Sequence, residues 1–181
     1  MVSLRNIDIG NDINIVYDCF SIYEQQKLIS NRVIVKSKED FKNWFVFQLK
    51  NYYHEFRIIE ENKVAIGFCY SYDFFQDILK TVLYIKPEYQ NSGAGVIAEL
   101  LFLDELFRFY PLRKIYNHVY SYNSQSLKSH FSAGFVKEGV LKEYRYYDGE
   151  YHDVYIMSLS RQDFKNRLYP LLKRKEVSKN V

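Results

Sequence analysis

The chain has 181 residues and a formal charge of +3, with 48% apolar and 26% charged residues. That length and balance describe a chain able to bury a core, and they exclude a disordered polymer. A charge this small marks no nucleic-acid surface. No apolar run approaches the ~20 residues that cross a bilayer, so no membrane partner is expected.

Val2 to Ile7 alternates apolar and polar and reads as a first strand. Asn11 and Asp12 are N-cap types ahead of Ile13, Val16, Tyr17 and Phe20, which recur at helical spacing. The stretch from Ser21 to Lys36 is ambiguous, with a second short helix as one reading. Ser37 followed by Asp40 resembles a capping box and opens a helix with Phe41, Trp44, Phe45 and Leu49 on one side. Phe56 to Ile59 and Val64 to Tyr70 read as strands across the polar turn 60–63, and Phe74 to Ile78 as a loop.

Val82 to Ile85 suits a buried strand, which Pro87 ends. Gly93 and Gly95 then open a long apolar-rich helical run. Glycine at a helix start exposes unpaired N–H groups at the positive end of the dipole, a ready anion site. Arg113 to Tyr120 is a further strand. Asn123 to Phe131 is a short helix, with Gly134 as its left-handed C′ residue. Phe135 to Tyr147 and Tyr151 to Leu159 form a hairpin across Asp148-Gly149. Asp163 to Lys173 reads as a terminal helix.

The order is β-α-α-β-β-β-α-β-α-β-β, an α/β chain with a central mixed, mostly antiparallel sheet of about seven strands flanked by helices. A single domain is expected over 1–172, with a basic flexible tail at 173–181. Cys19 and Cys69 lack His or Cys at ligand spacing, so no metal is expected and free thiols in a reducing compartment fit. The N-terminus has no signal-peptide pattern, and a cytoplasmic location follows. The 18 Tyr and 14 Phe either reflect overall composition or line an aromatic pocket.

Gln90-Asn91-Ser92-Gly93-Ala94-Gly95 resembles the Q/R-x-x-G-x-G/A acetyl-CoA loop of the GNAT N-acyltransferase superfamily. Asn123-x-x-Ser126-x-x-x-His130-x-x-x-Gly134-Phe135 resembles its second signature. Val136 to Gly139 and Gly149 to Val154 are similar to the branch holding phosphinothricin, amino-sugar and RimJ/RimL-type acetyltransferases. The resemblance covers roughly Val64 to Phe164. It implies the GNAT fold, with acetyl-CoA as cosubstrate and no metal.

The resemblance also implies roles. Ile85, the loop residues Gln90, Asn91, Ser92, Gly93, Ala94 and Gly95, and Val96 at the helix start would hold the pyrophosphate and pantetheine. A Cβ at position 93 or 95 is expected to clash. The strand ending near Ile85 would splay from the one ending near Tyr120, and the pantetheine amides would pair with the backbone so exposed. Asn123 and Ser126 would support the cofactor. His130 occupies the position of the family's proton donor, as general acid or proton relay; the other reading is a structural histidine beside Leu127 and Phe131. The family's glutamate before the loop is replaced by Lys80, which leaves the base unassigned, with Glu55, Asp73 and Tyr84 as candidates through water. Asp153 matches an acceptor-site aspartate or is a hairpin residue. Glu99, on an apolar helical arc, is expected to reach toward its own helix start.

The expected activity is transfer of an acetyl group from acetyl-CoA to the primary amine of a small molecule, by direct attack in a ternary complex. The acceptor would be an amino acid analogue, an amino sugar or an antibiotic. The alternatives are a RimJ/RimL-like protein N-terminal acetyltransferase and a CoA-binding module without transferase activity. A homodimer is compatible with either enzyme reading.

Overall fold

The computed structural model describes residues 1–29 and 37–170. A seven-stranded sheet runs in the order β1-β2-β3-β4-β5-β7-β6. The strands are β1 (Val2–Asn6), β2 (Tyr53–Glu61), β3 (Val64–Phe75), β4 (Ile78–Ile85), β5 (Lys114–Tyr120), β6 (Val136–Tyr147) and β7 (Glu150–Ser160). β4 and β5 run parallel; β1–β2, β2–β3, β5–β7 and β6–β7 are antiparallel. This is the mixed, mostly antiparallel sheet that the sequence predicts. The helices are α1 (Ile9–Ser21), α2 (Tyr23–Ile29), α3 (Lys38–Asn51), α4 (Ala94–Phe109), α5 (Ser124–Ser132) and the short α6 (Arg161–Asp163). The chain divides into two compact units. The first comprises Met1–Asp73 and Thr81–Ala98; the second comprises Phe74–Lys80 and the described residues from Glu99 onward.

In the first unit, α1 starts earlier than the sequence suggests. Asp8 is its N-cap, accepting from the Gly10 N–H at 2.9 Å. Asp12 does not cap. Its carboxylate is taken by both guanidinium nitrogens of Arg5, at 2.6 and 2.7 Å, and by the Asp8 N–H at 2.8 Å. The Arg5 hydrogen bonds hold the Asp12 carboxyl below the usual carboxylate range against the opposing effect of burial. Ser37 caps α3 as predicted, accepting from the Asp40 N–H. The second short helix is α2; residues 30–36 lie outside the described residues. The core of this unit is largely aromatic: Phe20, Phe41, Phe45, Phe56, Phe68, Tyr70 and Tyr84 are buried together. Ring centroids 5.2 Å apart for Phe45–Phe56 and 5.4 Å for Phe56–Phe68 show where much of the aromatic content goes.

The 74–78 stretch is not a loop. β3 runs through Phe75 and β4 starts at Ile78, across a two-residue turn. Gln76 and Asp77 take φ of 47° and 62°, the left-handed geometry of a tight hairpin, without the glycine that would have announced it.

In the second unit, the Asp148-Gly149 hairpin forms as expected, and Gly134 ends α5 with φ 82°. Buried Ile115, Val119, Met157, Leu159, Phe107 and Phe164 belong to its core. The predicted terminal helix begins as α6 and continues as a π-helical turn over Phe164–Leu168. The end of the predicted helix and the basic tail lie outside the described residues. Arg161 closes the C-terminus of α4, donating to the carbonyls of Leu112, Phe107 and Tyr110 at 2.6, 2.5 and 2.6 Å. A cation there satisfies orphan carbonyls and opposes the negative end of the dipole.

Candidate active site

The glycine loop belongs to the first unit. β4 ends at Ile85, and the Lys86 N–H donates to Ile66 O at 2.9 Å. Pro87–Tyr89 makes a single tight turn. The Gln90 side chain then reaches back, its Nε2 donating to Ile85 O at 2.9 Å, and pins the loop to the end of β4. Asn91 and Gly93 both have positive φ, 63° and 83°. Two of the expected anion donors are already engaged: the Gln90 N–H bonds Pro87 O at 3.2 Å, and the Ala94 N–H bonds Ser92 Oγ at 3.2 Å. The N–H groups of Asn91, Ser92, Gly93, Gly95 and Val96 have no partner among the described residues.

The expected clash of a Cβ at 93 or 95 is corrected. A Cβ at Gly93 meets nothing within 4 Å, so what requires glycine there is its φ of 83°. At Gly95 a Cβ would touch Ile85 Cγ1 at 3.5 Å, an ordinary contact. The glycine that does admit a close approach is Gly67 in β3. A Cβ there would stand 2.1 Å from Tyr84 O. A lone glycine inside a strand pattern was the available signal.

Tyr84 lies in the same unit. Its hydroxyl donates to Gln25 Oε1 on α2. Burial pushes its phenol well up, with Cys19, Glu88 and Asp18 adding to the effect. A phenol so held is a neutral hydrogen-bonding group at neutral pH. Glu55 is ion-paired with Arg57 at 2.7 Å.

The second signature lies in the other unit. Asn123 is the N-cap of α5, accepting from the Ser126 N–H at 3.0 Å. His130 is clamped at both ring nitrogens. Its Nδ1 lies 2.8 Å from Ser126 O, and its Nε2 lies 3.0 Å from Nδ2 of Asn117 in β5. Its ring meets Phe135 edge-on with centroids 4.8 Å apart. The expected neighbour Phe131 points outward instead, 55% exposed. Asn117, which the sequence reading passed over, is 4% exposed at an inward position of β5. A polar residue in the inward row of an alternating strand was its signal.

Glu99 does not turn to its own helix start. It is buried and accepts from Ser129 Oγ at 2.9 Å, tying α4 to α5. Asp153 serves the irregularity in β6. One oxygen pairs with Lys142 at 2.8 Å and the other accepts from the N–H of Glu143 at 3.0 Å, where φ is 50°. The Lys142 hydrogen bond holds the Asp153 carboxyl below its ordinary value.

The strand order and the helices flanking the sheet match the GNAT fold of solved structures. Among solved structures, spermidine N-acetyltransferase from Vibrio cholerae in complex with CoA and spermine matches with a TM-score of 0.81 at 22% identity, covering 91% of this chain and 98% of that one. A dodecameric structure of the same Vibrio enzyme matches with a TM-score of 0.76 at 23% identity, covering 92% of this chain and 98% of that one. In sequence, the chain is 25% identical to YokL, an uncharacterized N-acetyltransferase derived from the SPbeta prophage of Bacillus subtilis, over 132 residues, 72% of this chain and 75% of YokL. It is 35% identical to the spermidine N(1)-acetyltransferase of Vibrio cholerae over 83 residues, 46% of this chain and 48% of that protein. No protein-family model matches the chain. No helix among the described residues is long and apolar enough to cross a membrane.

Proposed function

We propose that the chain is an acetyl-CoA-dependent N-acetyltransferase that acetylates a primary amine of a small molecule, with a spermidine-type polyamine as the first acceptor class. The observation that carries this reading is the loop before α4. With the first turn of α4 it presents five N–H groups that have no partner among the described residues, around a glycine held at φ 83°. Such a row of donors at a helix start suits a pyrophosphate. The acceptor class is drawn from the three spermidine acetyltransferase likenesses above, and the dodecameric neighbour supports self-association as part of the proposal.

In this reading, Asn91, Ser92, Gly93, Gly95 and Val96 bind the pyrophosphate through their backbone, and Gln90 fixes the loop to β4. The pantetheine amides pair with the backbone of β4 near Ile85, beyond the rungs that Ile78 and Leu79 share with β5. Acetyl-CoA supplies the acetyl group as an activated thioester. His130 is the proton relay. Its Nδ1 faces Ser126 O and its Nε2 faces the amide of Asn117, so this role requires the Asn117 bond to give way when a proton is passed. Asn123 and Ser126 hold α5 and the ring in place. Tyr84 contributes a hydrogen-bonded wall through Gln25. Asp153 shapes the hairpin through Glu143.

Thiol release from acetyl-CoA, measured with spermidine, spermine, an amino sugar, an amino acid and a peptide N-terminus, tests the reading. Release that depends on a polyamine supports it. Release only with the peptide would move the acceptor to proteins. Tight CoA binding with no release for any amine would leave a CoA-binding module.

A further inference from the structure

Tyr84 stands one residue before the end of β4, and Gln25 lies on α2. Both belong to the first unit, as does the glycine loop. The Tyr84 ring packs in the aromatic core, its centroid 5.1 Å from that of Phe68, and 8% of the residue remains exposed. Its hydroxyl donates to Gln25 Oε1. A phenol has one hydrogen to give, so this bond leaves its oxygen as an acceptor. Among the described residues Gln25 is its one hydrogen-bond partner, and no donor takes up the oxygen.

The surroundings of that oxygen carry one sign of charge. Burial pushes the phenol up most, and Cys19, Glu88 and Asp18 follow in the same direction. Cys19 is a buried thiol that burial keeps protonated. The charges are therefore the carboxylates of Glu88 and Asp18, both exposed. A neutral acceptor in a negative field favours an N–H donor that carries or shares positive charge, and it repels an oxygen anion.

We infer that Tyr84 is a specificity-determining residue for the proposed reaction, its oxygen accepting an N–H of the incoming amine, and that Gln25 is the positioning residue that takes up the phenolic hydrogen. The inference rests on the acetyltransferase reading above, in which the pantetheine lies along β4 near Ile85, the residue after Tyr84. It narrows the acceptor. A hydroxyl free to turn would serve a carboxylate as readily as an amine. With its hydrogen held by Gln25, it bonds only a group that brings a hydrogen of its own. A polyamine end, an N–H donor with no anion beside it, meets both demands.

The test compares full-length wild type with Tyr84→Phe, Gln25→Leu and Gln25→Glu. It reads steady-state kinetics with acetyl-CoA and spermidine, and tyrosine ¹³Cζ shifts as spermidine is added to the CoA complex. The Tyr84 signal is the one that Tyr84→Phe lacks, and in wild type it should move with spermidine. Tyr84→Phe should raise the KM for spermidine about fivefold or more, while the KM for acetyl-CoA stays within about twofold. Gln25→Leu should raise it in the same direction. Gln25→Glu should not, because its carboxylate still accepts the phenolic hydrogen. If Tyr84→Phe does not fold, the two Gln25 variants decide by the same split. The proposal is overturned if Tyr84→Phe keeps the wild-type KM for spermidine, or if the Tyr84 signal stays in place while spermidine is turned over. It is also overturned if both KM values rise together, which would make the hydroxyl a structural tie between α2 and β4. A wild type that acetylates no amine would instead overturn the proposed function, and this inference with it.

Discussion

The glycine loop and the His130 cluster make opposite use of polar atoms. In the loop, backbone donors of Asn91, Ser92, Gly93, Gly95 and Val96 have no partner among the described residues, and the side chains that bond, Gln90 and Ser92, do so to shape the turn. In the cluster, both ring nitrogens of His130 are bonded and Asn123 is spent as a cap. On the proposed reading, the contrast is between a binding surface made of backbone, which must stay open, and a chemical group made of side chain, which must be aimed. Substitutions should therefore hurt the loop through conformation and the cluster through chemistry.

The widest effect should come from the cluster. His130→Ala would remove the proposed relay and should lower kcat by about 10²–10⁴-fold, with CoA affinity nearly unchanged, as read by steady-state kinetics and by titration with CoA. An unchanged kcat across pH would make His130 structural and dissolve the contrast. Next is the support under β4. Gly67→Ala forces a Cβ to within 2.1 Å of Tyr84 O unless the strands part, and should cost about 3 kcal/mol or more in urea unfolding. A stability equal to wild type would mean the strand edge is softer than its geometry.

The loop itself should respond less steeply. A β-branched residue at φ 83° costs about 1–3 kcal/mol, so Gly93→Val should weaken CoA binding by about tenfold to a hundredfold while kcat at saturation holds. A large loss in kcat instead would show that loop and chemistry are not separable. The smallest effect is far from both. Asp12 has a carboxyl lowered by its Arg5 hydrogen bonds, so its stabilisation is present above the unfolded value near 3.8 and lost as pH falls through the folded one. Asp12→Asn should cost about 1–3 kcal/mol at pH 7, and the gap to wild type should narrow below about pH 4 in urea melts. A gap independent of pH would assign the loss to packing.

What could be read beforehand follows the same divide. Backbone requirements leave marks in one dimension: the glycine pair, Pro87, the Ser37–Asp40 cap and the Asp148-Gly149 turn are local, and each falls where the sequence places it. Side-chain partnerships are made by topology. Asn117 and His130 meet because β5 and α5 fold together, and nothing in their spacing announces it. Arg161 capping α4, Glu99 turning to Ser129, and Asp12 leaving the helix cap for Arg5 are errors or omissions of the same kind. For Asp12 and Glu99, a partner elsewhere in the chain replaced the local role that spacing suggested. Gln76-Asp77 is the exception on the backbone side, a left-handed turn built without glycine.

The most direct test of the central claim is to identify the product. Incubated with acetyl-CoA and spermidine, the protein should yield mono-acetylated polyamine by mass spectrometry, in step with free CoA and strongly reduced in His130→Ala. Recovery of unmodified spermidine, and of every other amine offered, from a protein that binds CoA would contradict it.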